Sequence, residues 1–267
     1  MSTVAILSQY VNESRKIAEQ AAFKLGYPLV TMTDLVKAAA KAENISEDEL
    51  NGVLTDISIF NRLFRKRKMN KLVCLLESTL CDLMTERSIV FCGYIGFPIF
   101  NRISHVLQVL VLGKPENDGE SEAGPPPAEE DRSDLLSNEK ILEWFKKMYG
   151  DDMEDPNLYD LCVNLWHMDE SEGADIIVNT LKQKRFTPMT YSRKVMEDIR
   201  LALGIKTKLI ESVPDVEVKS HDGSVYIYSK SLKRSRNRAA EIKQEIMWMD
   251  GVDYVEICTD PKIFQAA

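Results

Sequence analysis

Short apolar runs alternate with longer amphipathic stretches along residues 1–185. The runs at residues 4–7, 89–92 and 106–112 have the length and composition of buried strands. Residues 15–25 repeat apolar side chains at three- and four-residue spacing, which predicts a helix with one buried face. Further helices are predicted at 35–41, 47–54, 59–87, 138–149 and 171–184, and a turn at 155–160 leads into another strand. Strands separated by helices predict an α/β fold with a parallel sheet and crossover helices.

The pattern changes at Pro188, which ends the preceding helix. A helix is predicted at 191–212 and strands at 213–219 and 225–228, joined by a tight turn at Asp222 and Gly223. A helix at 233–249 and a strand at 250–257 follow. The sequence therefore predicts two domains, 1–185 and a small αββαβ domain at 186–267.

Charge and composition narrow the class of protein. The chain has 267 residues, 44% of them hydrophobic, and a net charge of −8, which argues against a general nucleic-acid-binding protein. No apolar run approaches the roughly 20 residues of a membrane span. The first residues lack a basic stretch followed by an apolar one, so no secretory signal is predicted. We expect a cytoplasmic protein without a transmembrane segment.

Residues 114–137 interrupt the alternation of strands and helices. Positions 114–134 hold eight acidic and two basic residues, together with four prolines and two glycines. Such a stretch has too little apolar surface to pack firmly. We therefore predict a flexible, acidic, lid-like loop inside the first domain.

The thiols and imidazoles form no recognisable metal motif. The five cysteines are scattered without a C-x-x-C pair, and the three histidines are dispersed. Four cysteines lie among apolar residues and are expected in the core: Cys74, Cys81, Cys92 and Cys162. His167 follows Trp166 and is expected to be a core or boundary residue rather than part of a site.

Several segments resemble the cytidylate kinase-like family. Residues 8–18 and 25–28 are similar to its opening Ser-Arg-x-Tyr-Gly-Ser-Gly-Gly-Arg-Glu-Ile-Ala and to Leu-Gly-Tyr-Pro. Residues 89–93 and 105–109 resemble Val-Ile-Val-Gly-Arg-Gly and His-Val-Leu-Arg-Val, and residues 155–164 resemble Asp-Pro-x-Leu-Tyr-Asp-Leu-x-x-Asn. The resemblance implies a P-loop nucleoside monophosphate kinase fold, with ATP and Mg²⁺ as phosphate donor and CMP-like acceptors.

The chain departs from the family pattern where phosphate charge is handled. Residues 11–14 replace the glycine-rich loop, and Tyr94 and Ile95 replace the Arg and second Gly of Gly-Arg-Gly. Thr31 stands where the family has an acid, and the lid, normally arginine-rich, is acidic. No catalytic residue is assigned. The remaining candidates for nucleotide or phosphate binding are Ser8, Ser14, Arg15, Lys16, Gly93, Tyr94 and Arg132.

The C-terminal segment resembles a BON domain, a small non-catalytic module that binds ligands, partners or phospholipid surfaces. Residues 216–218, the turn at 222–225 and residues 251–255 carry the resemblance. One end of this segment carries a run of basic residues. The run is either a solvated face or a surface that binds an anionic protein or ligand. Its members are Lys230, Lys233, Arg234, Arg236 and Arg238.

Three functions are compatible with the sequence. The first is a cytidylate kinase-like protein with a degenerate phosphate loop, catalytically impaired, that binds nucleotide or regulates. The second is an active ATP-dependent kinase for CMP, dCMP or another nucleoside monophosphate, using Arg15 and Lys16 with a rearranged loop. The third is a structural partner protein with no nucleotide site.

Overall fold

The computed structural model describes residues 1–8, 11–55, 63–113, 138–258, 260 and 264. The predicted lid-like loop 114–137, with Arg132, lies outside the described residues. The elements up to residue 185 are β1 (Thr3–Ser8), α1 (Val11–Leu25), β2 (Leu29–Thr31), α2 (Met32–Glu43), α3 (Glu47–Thr55), α4 (Leu63–Glu86), β3 (Ile89–Cys92), α5 (Phe97–Phe100), β4 (Val106–Leu112), α6 (Asn138–Tyr149), β5 (Leu161–Asn164) and α7 (Glu170–Leu181). They are followed by α8 (Thr190–Leu209), β6 (Glu217–His221), β7 (Ser224–Tyr228), α9 (Arg236–Met247) and β8 (Tyr254–Cys258).

The larger sheet has five parallel strands in the order β2-β3-β1-β4-β5. β1 is central, and its Val4 lies between Val90 of β3 and Leu107 of β4. The predicted α/β class is confirmed, including the parallel pairing of β1 with β3. This architecture is consistent with a P-loop kinase-like domain.

Helices cover both faces of the larger sheet. Val4 and Ile6 pack with residues of α1 and α7, whereas Ala5 and Leu7 pack with residues of α2 and α4. All six residues of β1 are buried. The continuous apolar run in the sequence is therefore the consequence of a strand covered on both sides.

A second sheet of three strands, in the order β6-β7-β8, follows α8. β6 and β7 are antiparallel and β7 and β8 are parallel, so the observed element order is αββαβ. The hairpin turn is formed by Asp222 and Gly223, with φ angles of 49° and 78°. This turn was predicted from the Asp-Gly pair, which tolerates positive φ at both positions.

One helix contributes to two hydrophobic cores. The first half of α8 places Met196 and Ile199 in the core beneath the larger sheet, and the second half places Ile205 and Leu209 in the core of the smaller sheet. α8 also runs antiparallel to α4, since Arg200 meets Asp82 and Thr207 meets Cys74. The smaller sheet is thus anchored to the larger one through the buried face of a shared amphipathic helix.

Candidate functional site

The carboxyl ends of the parallel strands lie along one edge of the larger sheet, which we call the carboxyl edge. In open parallel sheets ligands bind at this edge, where neighbouring connections leave in opposite directions. Here β1 leads to β2 on one side, whereas β4 leads to β5 on the other. Ser8 ends β1 and Gly93 follows β3, so both candidates lie at the carboxyl edge.

The first turn of α1 is tied to the end of β3. The Cys92 thiol donates a hydrogen bond to Ser14 Oγ at 3.6 Å, and Ser14 is 4% exposed. Ser8 at the end of β1 is also buried. A helix N-terminus carries partial positive charge and N–H groups without helical acceptors, which favours an anion. The start of α1 therefore faces the carboxyl edge as the helix N-terminus of an anion site does, although the glycines of the family loop are missing.

The two cations near the start of α1 each meet a carboxylate. Arg15 Nε donates to Glu19 Oε1 at 3.1 Å, and Lys16 Nζ lies 3.8 Å from Glu170 Oε1 of α7. Both pairs are solvent-accessible, and such pairs contribute about 0–1 kcal/mol each. An incoming phosphate could exchange with these carboxylates at small cost.

Gly93 is required by packing at the end of β3. A Cβ at this position would lie 2.6 Å from Met32 Sδ and 2.7 Å from Phe91 Cζ. The Gly93 N–H donates to the carbonyl of Ile6 at 3.2 Å, which extends the pairing of β3 with β1. This glycine therefore brings the backbone close to its neighbours.

Tyr94 turns into the core. Its side chain is 8% exposed, and its ring packs edge-to-face on Trp144 with centroids 5.2 Å apart. The position that resembles a family arginine thus holds a ring packed against α6. Of the candidate residues, Ser8, Ser14, Arg15, Lys16 and Gly93 come together at or near the carboxyl edge, whereas Tyr94 faces inward.

An aromatic pair that was not expected from the sequence to belong to a site lies beyond β5. Trp166 is 49% exposed, and its ring meets the His167 ring at 6.5 Å between centroids. A cavity of about 500 Å³ separates this segment from α1, and Lys16 and Glu170 belong to its lining. The expectation that His167 is a core or boundary residue is wrong, because the loop after the edge strand β5 leaves it exposed. Only the adjacency of two aromatic rings could have signalled this from the sequence.

The cysteines range from buried to exposed, and Cys92, expected in the core, is only partly buried. Cys74 and Cys81 are buried as expected, and burial raises the pKa of the Cys74 thiol to about 11. Cys162 is exposed, contrary to expectation, because β5 is an edge strand with one poorly covered face. Within the described part of the chain, no three His, Cys, Asp or Glu side chains converge on a metal-sized site.

The C-terminal basic run connects β7 to α9. Asp215 orders its start by accepting hydrogen bonds from the backbone of Lys230 at 2.8 Å and of Ser231 at 3.2 Å. Arg238 pairs with Glu241 at 3.0 Å. Three further members of the run are exposed, namely Lys230, Lys233 and Arg236. The side chain of Arg234 lies outside the described residues.

Comparison with known proteins identifies the family. The sequence model of the cytidylate kinase-like family matches residues 3–167, and the chain therefore belongs to that family. A solved structure of an uncharacterized protein from Eubacterium ventriosum ATCC 27560 is similar at 12% identity and a TM-score of 0.46. That match covers 67% of this chain and 97% of the other. No curated protein matches.

Family membership supports a nucleotide-kinase-like protein. Among the residues that the structure describes, none of the helices combines the length and the apolar character needed to cross a membrane.

Proposed function

We propose that this chain is a nucleotide-binding, regulatory member of its family whose phosphoryl transfer is impaired. The observation that supports this is the contrast at the carboxyl edge. The parallel strands and α1 keep a kinase-like arrangement, whereas Tyr94, at the position that resembles a family arginine, is buried in the core. Phosphoryl transfer depends on positioning and on the cancellation of phosphate charge, so a framework that lacks this arginine favours binding over chemistry.

Lost charge-assisted contacts give the size of the impairment. Each one costs about 1.5–3 kcal/mol. Two such losses are counted: the arginine at the position of Tyr94 and an arginine of the lid. Together they lower the rate by about 10²–10⁴, since about 1.4 kcal/mol is tenfold. The proposed ligands, implied by the family, are ATP as its magnesium complex and CMP-like monophosphates.

The cavity beside Trp166 is the proposed place for a nucleobase, with the phosphates directed toward Lys16 and the start of α1. An exposed ring offers a stacking surface for a base, which contributes about 1–3 kcal/mol in other proteins. Lys16 lines the same cavity and needs only to leave an exposed contact with Glu170.

Tryptophan fluorescence tests this site. We expect ATP with Mg²⁺, or CMP, to quench the emission of the full chain, and Trp166→Phe to remove the quenching. Trp248→Phe is the matched control, because Trp248 is 84% exposed at the end of α9 and does not line the cavity. Quenching that survives in Trp166→Phe and is lost in Trp248→Phe would place the ligand elsewhere.

The alternative is an active nucleoside monophosphate kinase, and one observation favours it. The ion pair of Lys16 with Glu170 is exposed, so a phosphate can replace Glu170 as the partner of Lys16. A coupled assay with ATP, Mg²⁺ and CMP, dCMP or UMP separates the two functions. Turnover of about 1 s⁻¹ or more, the range of ordinary kinases, would falsify the impaired kinase. If the chain were a structural partner protein, no nucleotide would quench its fluorescence or raise its melting temperature.

The region 186–267 is proposed as a BON-like module, joined to the larger sheet through α8, that binds an anionic partner. Its exposed Lys230, Lys233 and Arg236 support this. We expect the full chain to bind an acidic peptide such as polyglutamate, with affinity that falls as salt rises. Lys230→Glu with Lys233→Glu should abolish binding, whereas Lys182→Glu with Lys184→Glu, exposed near α7, should not.

A further inference from the structure

Two partly buried hydrogen bonds, which we call the relay, connect α4 through Tyr149 to the turn that follows β3. Glu77 of α4 is 9% exposed, and its Oε1 accepts a hydrogen bond from the Tyr149 hydroxyl at 3.1 Å. The same hydroxyl accepts a hydrogen bond from the Gly96 N–H at 3.1 Å. Gly96 closes the turn 93–96 at the carboxyl edge and begins α5. Tyr149 therefore joins α4 to a turn beside the proposed nucleotide site.

The turn has little freedom to compensate for a lost partner. Gly96 has a φ of 87°, and a Cβ there would lie 2.7 Å from Leu80 of α4. A polar group left unpaired in such packing costs about 1–3 kcal/mol. At the other end of the turn, Gly93 is paired with β1, and the neighbouring Cys92 contacts Ser14 at the start of α1. Contacts within a few residues therefore connect Gly96 to the start of α1.

The side chain of Lys206 in α8 shares a cavity with Glu77, one end of the relay. Lys206 of α8, Glu77 and Cys74 of α4, and Lys147 and Met148 of α6 line a cavity of about 210 Å³. Burial raises the pKa of Glu77, whereas the positive charge of Lys206 and the hydrogen bond from Tyr149 oppose that rise. Thr207 Oγ1 lies 3.3 Å from Cys74 Sγ, which fixes the register of α8 on α4 at this point.

We propose that Glu77 and Tyr149 are positioning residues that hold the turn 93–96 in the conformation that binds nucleotide, and that α8 acts on them through Lys206. This inference rests on the proposed nucleotide site. Because α8 also belongs to the core of the smaller sheet, it gives the C-terminal region a regulatory role. A change in that region therefore alters nucleotide affinity through the charge that Lys206 places in the cavity beside Glu77.

The first part of the test removes the relay one hydrogen bond at a time. Tyr149→Phe deletes the hydroxyl, and we expect nucleotide binding, measured by the tryptophan titration, to weaken about tenfold. Glu77→Leu should have a similar effect. Glu77→Gln keeps an oxygen that can accept from Tyr149 and should stay within about twofold of the parent chain. Rescue by Gln but not by Leu separates the acceptor from mere space filling.

The second part tests the coupling to α8. Lys206→Met should weaken nucleotide binding about threefold, a small coupling of the kind seen between linked sites. In the Tyr149→Phe background the same change should have no further effect, because the relay is already broken. Lys208→Met is the matched control, since Lys208 is exposed on the same helix and lies outside the cavity.

Each binding measurement is paired with a melting curve of the same variant. A purely structural role would lower the melting temperature of Glu77→Leu and Lys206→Met without changing the dissociation constant, and that result overturns the inference. Equal affinities of Lys206→Met and Lys208→Met overturn the role of α8. If the parent chain binds but Tyr149→Phe binds equally well, the inference fails and the proposed function stands. Absence of binding by the parent chain overturns both.

Discussion

The two sheets of this chain are built from strands with different surroundings. In β1 consecutive residues are buried on both faces, with Ile6 in one core and Leu7 in the other. In β7 only alternate residues are buried, so Ile227 is inaccessible while Tyr226 is partly exposed. A strand covered on both faces needs apolar side chains throughout, and a strand covered on one face needs them at every second position. The larger sheet is thus covered on both faces, whereas the second face of the smaller sheet is only partly covered.

The largest expected effect tests this difference directly. Ile6→Ala and Leu7→Ala should each lower the free energy of unfolding by about 2–5 kcal/mol, because both leave cavities in packed cores. In β7, Ile227→Ala should cost a similar amount, whereas Tyr226→Ala should cost less than about 1 kcal/mol. Urea unfolding curves measure all four. A cost for Leu7→Ala as small as that for Tyr226→Ala would contradict the two-sided burial of β1.

A buried histidine at the amino ends of the parallel strands should make the stability of the folded chain sensitive to acid. His105, immediately before β4, is fully buried, and its ring nitrogens have no hydrogen-bond partner among the described residues. Burial, the nearby amino terminus and Arg193 lower the pKa of His105 from 6.5 to about 4. The folded state therefore holds this histidine neutral, and the unfolded state binds more protons between these pH values. Stability should fall by about 2 kcal/mol as pH drops from 6.5 to 4.

Unfolding free energies at several pH values between 6.5 and 4 measure this contribution. His105→Leu should flatten that part of the profile, since the replacement cannot take up a proton. His221→Gln is the matched histidine control, because His221 is exposed on the smaller sheet. An identical acid slope in His105→Leu and the parent chain would assign the loss to other groups.

Much of the framework could be predicted because its signals are local. The apolar runs of β1 and β4 and the Asp222-Gly223 turn are contained within a few residues each. β2 was not assigned, because three residues carry no periodicity and are strands only through pairing with β3. β6 begins at Glu217 rather than at 213, where the chain is still turning after α8.

The site was less accessible to sequence reasoning because its contacts join distant positions. Ser14 and Lys16 could be named from their place at the start of α1, but the contacts with Cys92 and Glu170 depend on tertiary packing. The same holds for Glu77 and Tyr149, which are 72 residues apart in sequence and share one hydrogen bond. No local pattern reports such a pair.

Substitutions at two glycines, one in the hairpin turn of the smaller sheet and one within α8, should change the stability by an intermediate amount. Gly223, in the turn of the smaller sheet, has a φ of 78°, and a Cβ there would lie 2.4 Å from Asp253 Oδ2. Gly223→Ala should therefore cost about 1–3 kcal/mol. Gly204 lies within α8, and a Cβ there would meet no atom within 4 Å. Gly204→Ala should stabilise the chain by about 0.5–1 kcal/mol. Thermal unfolding compares the two, and a similar change in both would show that the turn is not strained by a side chain.

The smallest effect concerns what joins the two sheets. Arg200 Nε of α8 lies 2.6 Å from Asp82 Oδ1 of α4, with both side chains about half exposed. A double-mutant cycle with Arg200→Ala and Asp82→Ala should give a coupling energy below about 1 kcal/mol that decreases with salt. Ile199→Ala, one residue earlier and 3% exposed, should cost about 2–5 kcal/mol. A coupling above about 2 kcal/mol would mean that charge rather than the apolar face of α8 fastens the smaller sheet. The expected order follows because water already solvates both exposed ions, whereas the buried isoleucine has no equivalent contact outside the core.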